Sequence, residues 1–233
     1  MSMIEITFRS DVTVRLINSM ASDEAVTMAA RVSTGASENP EKDAGLINYL
    51  MRDRHGSPFE HNAFTFYIEA PIFVFREFMR HRIASYNEES GRYKELAPVF
   101  YIPDRSRKLI QQGKPGAYTF EPGTAEQHDD IEVDFELVSE HAYHRYRELM
   151  ESGIAREVAR MVLPLNIYSS MYVTINARSL MNFLSLRTIR EGTHFPSFPQ
   201  REIEMVAEKM EEFFAEKMPI TYETFNKNGR VAP

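Results

Sequence analysis

Apolar and polar residues alternate with a period of two in three stretches, Ile4–Phe8, Val12–Ile17 and the run Phe64, Phe66, Ile68. That period turns successive side chains to opposite faces of a sheet, so each stretch is expected to be a strand. Between them, Ser22-Asp23 opens an expected helix that reaches Val32. Asn39-Pro40-Glu41, an N-cap residue followed by proline, opens another that runs to about Arg54 and stops at Gly56. Ala70-Pro71 starts a helix expected to reach about Ile83. Lys108–Gly123, rich in Gly and Pro, reads as a loop or linker. Thr124 with Gln127 has the form of a capping box for a long helix to Met150. Further helices are expected at Ile154–Val162, stopped by Pro164, at Ala177–Leu186 capped by Asn176, and at Glu202–Lys217, ending at Pro219. The expected fold class is α+β, a mixed sheet with several long helices and helix dominating.

The chain's 233 residues can bury a full core and suit a single domain spanning 1–233. A formal net charge of −7 argues against a nucleic acid polymer as partner, although a local arginine cluster can still attract a small anion. The absence of cysteine removes thiolate nucleophiles, disulfides and Cys-type metal sites together. The opening residues lack the basic and apolar regions of a secretion signal, and no apolar stretch approaches the ~20 residues needed to span a bilayer. A cytoplasmic protein without membrane contact is expected.

The densest polar cluster is Arg80–Tyr93, with three arginines, hydroxyls and an amide suited to phosphate, and with Glu88 and Glu89 to accept from a sugar or a base. Gly91 would let backbone approach a ligand. A solvated helix end with surface ion pairs explains the same composition equally well. Arg156 and Arg160, four apart, would share a helix face; a surface face bridged by Glu157 is the plainer reading. Arg178 and Asn182 are also four apart, among Leu180, Met181, Phe183 and Leu184. Polar groups there need partners, whether internal or from a ligand. His55 and His61 flank Gly56–Glu60, but six-residue spacing fits no single helix face and metal binding is not expected; His61 reads as structural.

The spacing Arg80-His81-Arg82-x-x-Ser85-x-Asn87-Glu88-x-Ser90-x-Arg92 resembles the signature of flavin-dependent thymidylate synthases. Ala30–Ser33, Ser57–His61, Arg156–Arg160 and Asn176–Phe183 are similar to the same family in the same order. With Arg187 and the pair Gln200, Glu202, the resemblance covers about residue 14 to 218. It implies conversion of dUMP to dTMP, with 5,10-methylenetetrahydrofolate as methylene donor and NADPH as reductant through FAD. A chain without cysteine is compatible with that chemistry, which needs no thiolate. The resemblance also implies a homotetramer whose sites are shared between subunits.

By matched position, the resemblance places Glu77, Arg80, Glu88, Glu89, Ser90, Gly91, Arg92 and Arg160 around dUMP, with Arg92 and Arg160 on the phosphate. It places His55, Ser57, Arg80, His81, Arg82, Glu88, Asn176, Arg178 and Asn182 around FAD. Arg187 is assigned to activating the uracil ring, since a guanidinium beside the base stabilises its anionic form. Two departures stand out. Glu77 replaces a common Gln, and Pro199-Gln200-Arg201-Glu202-Ile203 replaces an Ala-Gln-Trp-Glu-Ile segment, so ligand contacts from Thr188–Ile203 do not transfer. A non-catalytic nucleotide-binding protein, or a flavoenzyme for another pyrimidine nucleotide, would share most of these residues. Arg160 and Arg187 favour the enzyme; Glu77 keeps the other pyrimidine open.

Overall fold

The computed structural model describes residues 5–35, 39–114 and 116–233. In chain order its elements are β1 (Thr7–Arg9), β2 (Thr13–Met20), α1 (Asp23–Arg31), α2 (Asp43–Arg52), α3 (Ser57–Glu60), β3 (Ala63–Pro71), α4 (Ile72–Phe78), β4 (Ser85–Glu88) and β5 (Val99–Tyr101). There follow β6 (Lys108–Lys114), β7 (Ala117–Pro122), α5 (Ala125–Glu151), α6 (Arg156–Ala159), β8 (Tyr168–Asn176), α7 (Ala177–Arg187), α8 (Arg201–Lys217) and α9 (Pro219–Lys227). The mixed α/β composition agrees with the expected class. The chain forms two compact units interleaved in sequence. One takes the segment up to Val12, Glu69–Glu77 and Glu88–Ser170; the other takes Thr13–Ile68, Phe78–Asn87 and Met171–Pro233.

The second unit is built on a four-stranded sheet of order β2-β3-β8-β4. Phe64, Phe66 and Ile68 of β3 are all fully buried, as their alternation requires, and Met171, Val173 and Ile175 of β8 are buried too. Phe64 meets Phe214 edge-on at 6.1 Å and Phe66 meets Phe213 at the same distance, so α8 packs on this face. Each such ring contributes about 1.5–3 kcal/mol of burial. On the opposite face the Thr65 and Thr174 hydroxyls lie 3.0 Å apart, and Tyr67 and Tyr172 meet edge-on.

The first unit centres on Leu96, Phe100, Tyr143, Tyr146, Ala159 and Ile167. β1 pairs in parallel with β5, and β6 with β7 antiparallel. The long helix α5 begins at the expected capping box, in which Thr124 and Gln127 satisfy one another's backbone N–H groups.

Several expectations are corrected. Lys108–Gly123 is not a linker but carries the β6–β7 hairpin, with Gln111 opposite Phe120 and a positive-φ Gly113 near its tip. Ile154–Val162 is not one helix: α6 ends at Ala159, and Arg160–Val162 tightens into a 3-10 turn. Arg156 and Arg160 nonetheless stand one α-turn apart, the Arg160 amide donating to the Arg156 carbonyl, as their spacing requires. α4 stops at Phe78, and Ala70 and Pro71 still belong to β3. Asn39 makes no side-chain cap; Pro40–Lys42 forms a 3-10 turn before α2. Pro219 both ends α8 and opens α9. β1 begins at Thr7; Ile4, the expected start of that strand, lies outside the described residues.

Candidate active site

In the first unit the chain from Glu88 to Leu96 is held from below by α5. Tyr143 donates to the Leu96 carbonyl at 2.9 Å and the Leu96 amide donates to the Tyr146 hydroxyl at 3.3 Å. Tyr143 and Tyr146 are three apart and so share a helix face. Their rings are buried, which lets two hydroxyls fix a loop that has no regular structure of its own. Above them the Tyr93 and Lys94 amides both donate to the Ser90 carbonyl, closing a tight turn.

This turn carries Glu89, Ser90, Gly91 and Arg92. Glu89 is anchored by its amide to the Ser170 carbonyl at 2.8 Å and by its carboxylate to the Ser170 hydroxyl at 3.0 Å, with Lys94 3.1 Å away. Arg92 donates to Glu157 at 2.9 Å, both side chains being about half exposed. Glu157 thus bridges to Arg92 rather than to its helix neighbours. Gly91 is buried, and a Cβ there would meet the Arg160 and Leu96 side chains at 3.2 Å. Ala159, wholly buried in the core, seats Arg160 at this point.

Glu88, half-buried, has its carboxyl raised above the ordinary value by burial. Ser169 and the Arg160 charge pull it back, and the Glu89 charge adds to the rise. The buried Ser169 hydroxyl lies near Glu88 but has no hydrogen-bond partner of normal geometry. Glu77 is half-buried near the end of α4.

In the second unit the Arg187 Nε donates to His81 Nε2 at 3.0 Å. His81 meets Phe183 edge-on at 4.9 Å and Phe78 at 6.5 Å, and its carbonyl accepts from the Tyr86 hydroxyl. Burial and the Arg187 charge lower His81 to about 4, so the ring is neutral at physiological pH and its Nε2 lone pair is available to the guanidinium. Because the folded-state value lies below the ordinary 6.5, an unfolded chain takes up a proton here before the folded one does. Stability is lost as pH falls from 6.5 towards about 4, an effect damped by the ring's partial exposure. His81→Gln, which keeps an acceptor but does not titrate, is expected to shallow that decline in thermal melts taken between pH 7 and pH 4.5; an unaltered slope would refute this assignment.

The other candidates of this unit are spread along its surface. Arg80, Arg82, Asn182, Ser57 and His55 are exposed. His55 stacks on Tyr49 at 5.4 Å, just after Arg54 takes a positive φ. Asn176 caps α7, its side-chain oxygen accepting from the Ser179 amide at 2.8 Å. Arg178 pairs with Glu60 and donates to the Pro233 backbone oxygen at 2.5 Å. His61, exposed, ends α3.

The sequence pattern passed over Ser169, Tyr143, Tyr146 and the Phe78–Phe183 pair around His81. Only the three-residue spacing of the tyrosines offered a signal. No helix among the described residues is long and apolar enough to cross a membrane.

Residues 15–220 match the family described as thymidylate synthase complementing protein. The chain belongs to the flavin-dependent thymidylate synthase family. It is 60% identical over 237 residues to the flavin-dependent thymidylate synthase of Streptomyces coelicolor, covering 98% of this chain and 96% of that one. It is also 60% identical over 232 residues to that of Tropheryma whipplei, covering 97% of each. Among solved structures, it is similar to the UMP/dUMP methylase PolB from Streptomyces cacaoi bound with 5-Br UMP. The TM-score there is 0.93 at 53% identity, covering 98% of this chain and 99% of that one.

Proposed function

We propose that this chain is an FAD-dependent thymidylate synthase, a methyltransferase that converts dUMP to dTMP with 5,10-methylenetetrahydrofolate and NADPH. The observation that carries the reading is the grouping of Glu88, the buried Ser169 hydroxyl beside it and Arg160, with Arg92 on the neighbouring turn. A nucleotide offers a partner suited to each of these. The dianionic phosphate rewards the forked donors of Arg92 and Arg160. Sugar hydroxyls and base N–H groups suit Glu88 and Ser169.

The exposed guanidinium groups of Arg80, Arg82 and Arg178, with the His55–Tyr49 stack, fit a dinucleotide that has both a pyrophosphate and a planar ring. With Ser57, His81, Glu88, Asn176 and Asn182 these residues would hold FAD. When bound, FAD supplies the reducing equivalents that turn a transferred methylene into a methyl group. Arg187 does the activating step: its guanidinium, aimed by His81, stabilises negative charge on the uracil and makes the ring easier to attack. Glu77, Glu89, Ser90 and Gly91 complete the dUMP set, Gly91 by letting Arg160 approach. The chain is further proposed to assemble as a cytoplasmic homotetramer with sites shared between subunits.

Formation of dTMP from dUMP by purified protein, followed chromatographically, should require FAD, NADPH and methylenetetrahydrofolate together. A colourless protein that cannot be reconstituted with FAD would defeat the reading. Gly91→Ala should displace the Arg160 stem by a few tenths of an ångström. The dUMP KM is expected to rise several-fold, on the order of 1 kcal/mol of lost binding, with FAD content unchanged. An unchanged KM would separate Arg160 from the phosphate.

A further inference from the structure

Helix α7 carries both Arg178, at its first turn, and Arg187, its last residue. The segment that follows α9 touches both ends of this helix. At one end the Pro233 backbone oxygen accepts from Arg178 Nε at 2.5 Å. At the other, Arg230 Nη2 donates to the Thr188 hydroxyl at 2.9 Å, and Thr188 in turn donates to the Leu184 carbonyl at 2.7 Å. Thr188 is the residue that caps α7, directly after Arg187. The residues 229–233 lie past the stretch 15–220 that matches the family.

Arg230 is built into place at some cost. It is almost wholly buried, yet its backbone takes φ 57, a left-handed conformation that glycine or asparagine would adopt more readily. Gly229 before it is also left-handed and lies so close to His194 that an added Cβ would sit 3.0 Å from that side chain. A buried arginine is kept in a disfavoured conformation when the surroundings over-determine it. Here they do: Glu211 pairs with Arg230 at 2.6 Å, and Phe225 stacks under the guanidinium at 4.9 Å.

Glu211 is shared. Its other oxygen accepts from Arg190 at 2.8 Å, three residues past Arg187. Between them, the Ile189 amide donates to Glu204 at 3.0 Å. Every residue from Thr188 to Arg190 is therefore tied to α8 or to Arg230. The stretch Thr188–Phe198, to which no family ligand contact transfers, begins as a brace for the residue before it.

We propose that Arg230 is a positioning residue. Through Thr188 it fixes the last turn of α7 and hence the direction of the Arg187 guanidinium, while the same segment steadies Arg178 through Pro233. The inference rests on the proposed role of Arg187. Small displacements of a charge-stabilising group are costly to rate and cheap to fold stability, so the brace acts on turnover before it acts on binding.

The test uses the full chain loaded with FAD. Thr188→Val removes the hydroxyl without leaving a buried charge unpaired; Thr188→Ser keeps it. Arg230→Lys keeps the charge opposite Glu211 but loses the second nitrogen that reaches Thr188. Thr188→Val and Arg230→Lys are expected to lower kcat by about tenfold or more, with dUMP KM nearly unchanged and FAD retained. Thr188→Ser should restore kcat. Independently of activity, backbone amides of the last turn of α7 should exchange hydrogen for deuterium faster in both weakened variants.

Wild-type kcat and wild-type exchange in Thr188→Val and Arg230→Lys would overturn the proposal. So would a parallel fall in kcat, FAD content and melting temperature that serine does not rescue, since that marks general destabilisation. Arg187→Ala run alongside keeps the two levels apart. If it retains turnover, the role given to Arg187 fails, and the exchange data alone then decide whether Arg230 braces α7.

Discussion

Replacing Arg187 by alanine is expected to all but abolish turnover while FAD stays bound. The guanidinium is held on a neutral His81 at 3.0 Å, and that histidine is edged by Phe78 and Phe183, so the charge is aimed in a weakly polar setting rather than dissolved in water. A fixed charge in such a setting is worth far more to a developing anion than one that must first reorganise. Loss of one such donor lowers kcat by about 100- to 1,000-fold. Since alanine removes neither the exposed arginines nor the His55–Tyr49 stack, flavin content measured by absorbance should be unaffected. Full activity in the variant would remove Arg187 from the chemistry.

The second large effect concerns dUMP binding. Arg160→Ala is expected to raise the dUMP KM by about 10- to 100-fold, the worth of a charge-assisted hydrogen bond of roughly 1.5–3 kcal/mol. Arg92→Ala should act in the same direction but less strongly, because Arg92 must give up Glu157 to take a phosphate. Steady-state kinetics with varied dUMP would check both. The two effects should fail to add in the double variant if one phosphate is shared between them. If neither variant changed KM, the phosphate would have to bind elsewhere.

The parts of the fold that were legible in the sequence are those where one local rule governs a whole element. Phe64, Phe66 and Ile68 announce β3 because one face of that strand is buried without exception. Thr124 with Gln127 announces α5 because the capping box is a local device. The β6–β7 hairpin could not be seen in the same way. Most of its residues are exposed, the alternation of Tyr118 and Phe120 with Thr119 and Glu121 is confined to one short strand, and its glycines resemble loop punctuation. Pro219 is ambiguous in principle: the same ring that cannot continue α8 is well suited to begin α9.

For the site, Arg80–Tyr93 stood out because its polar groups are contiguous. Their division, with Arg80–Asn87 in one compact unit and Glu88–Tyr93 in the other, depends on packing and leaves no mark in composition. The pairing of His81 with Arg187 joins residues 106 positions apart, and spacing rules do not reach that far. Arg230 was invisible for a related reason. A single arginine after a helix reads as surface, and only its burial against Glu211 shows that it is part of the scaffold.

The central claim is that this chain replaces the hydrogen at C5 of dUMP, and tritium release from dUMP labelled at C5 measures that event directly. The FAD-loaded protein supplied with NADPH and methylenetetrahydrofolate is predicted to release tritium to water in step with dTMP formation, and to stop when FAD is withheld or Arg187 is replaced by alanine. A protein that binds FAD and dUMP but releases no tritium under these conditions would contradict the account.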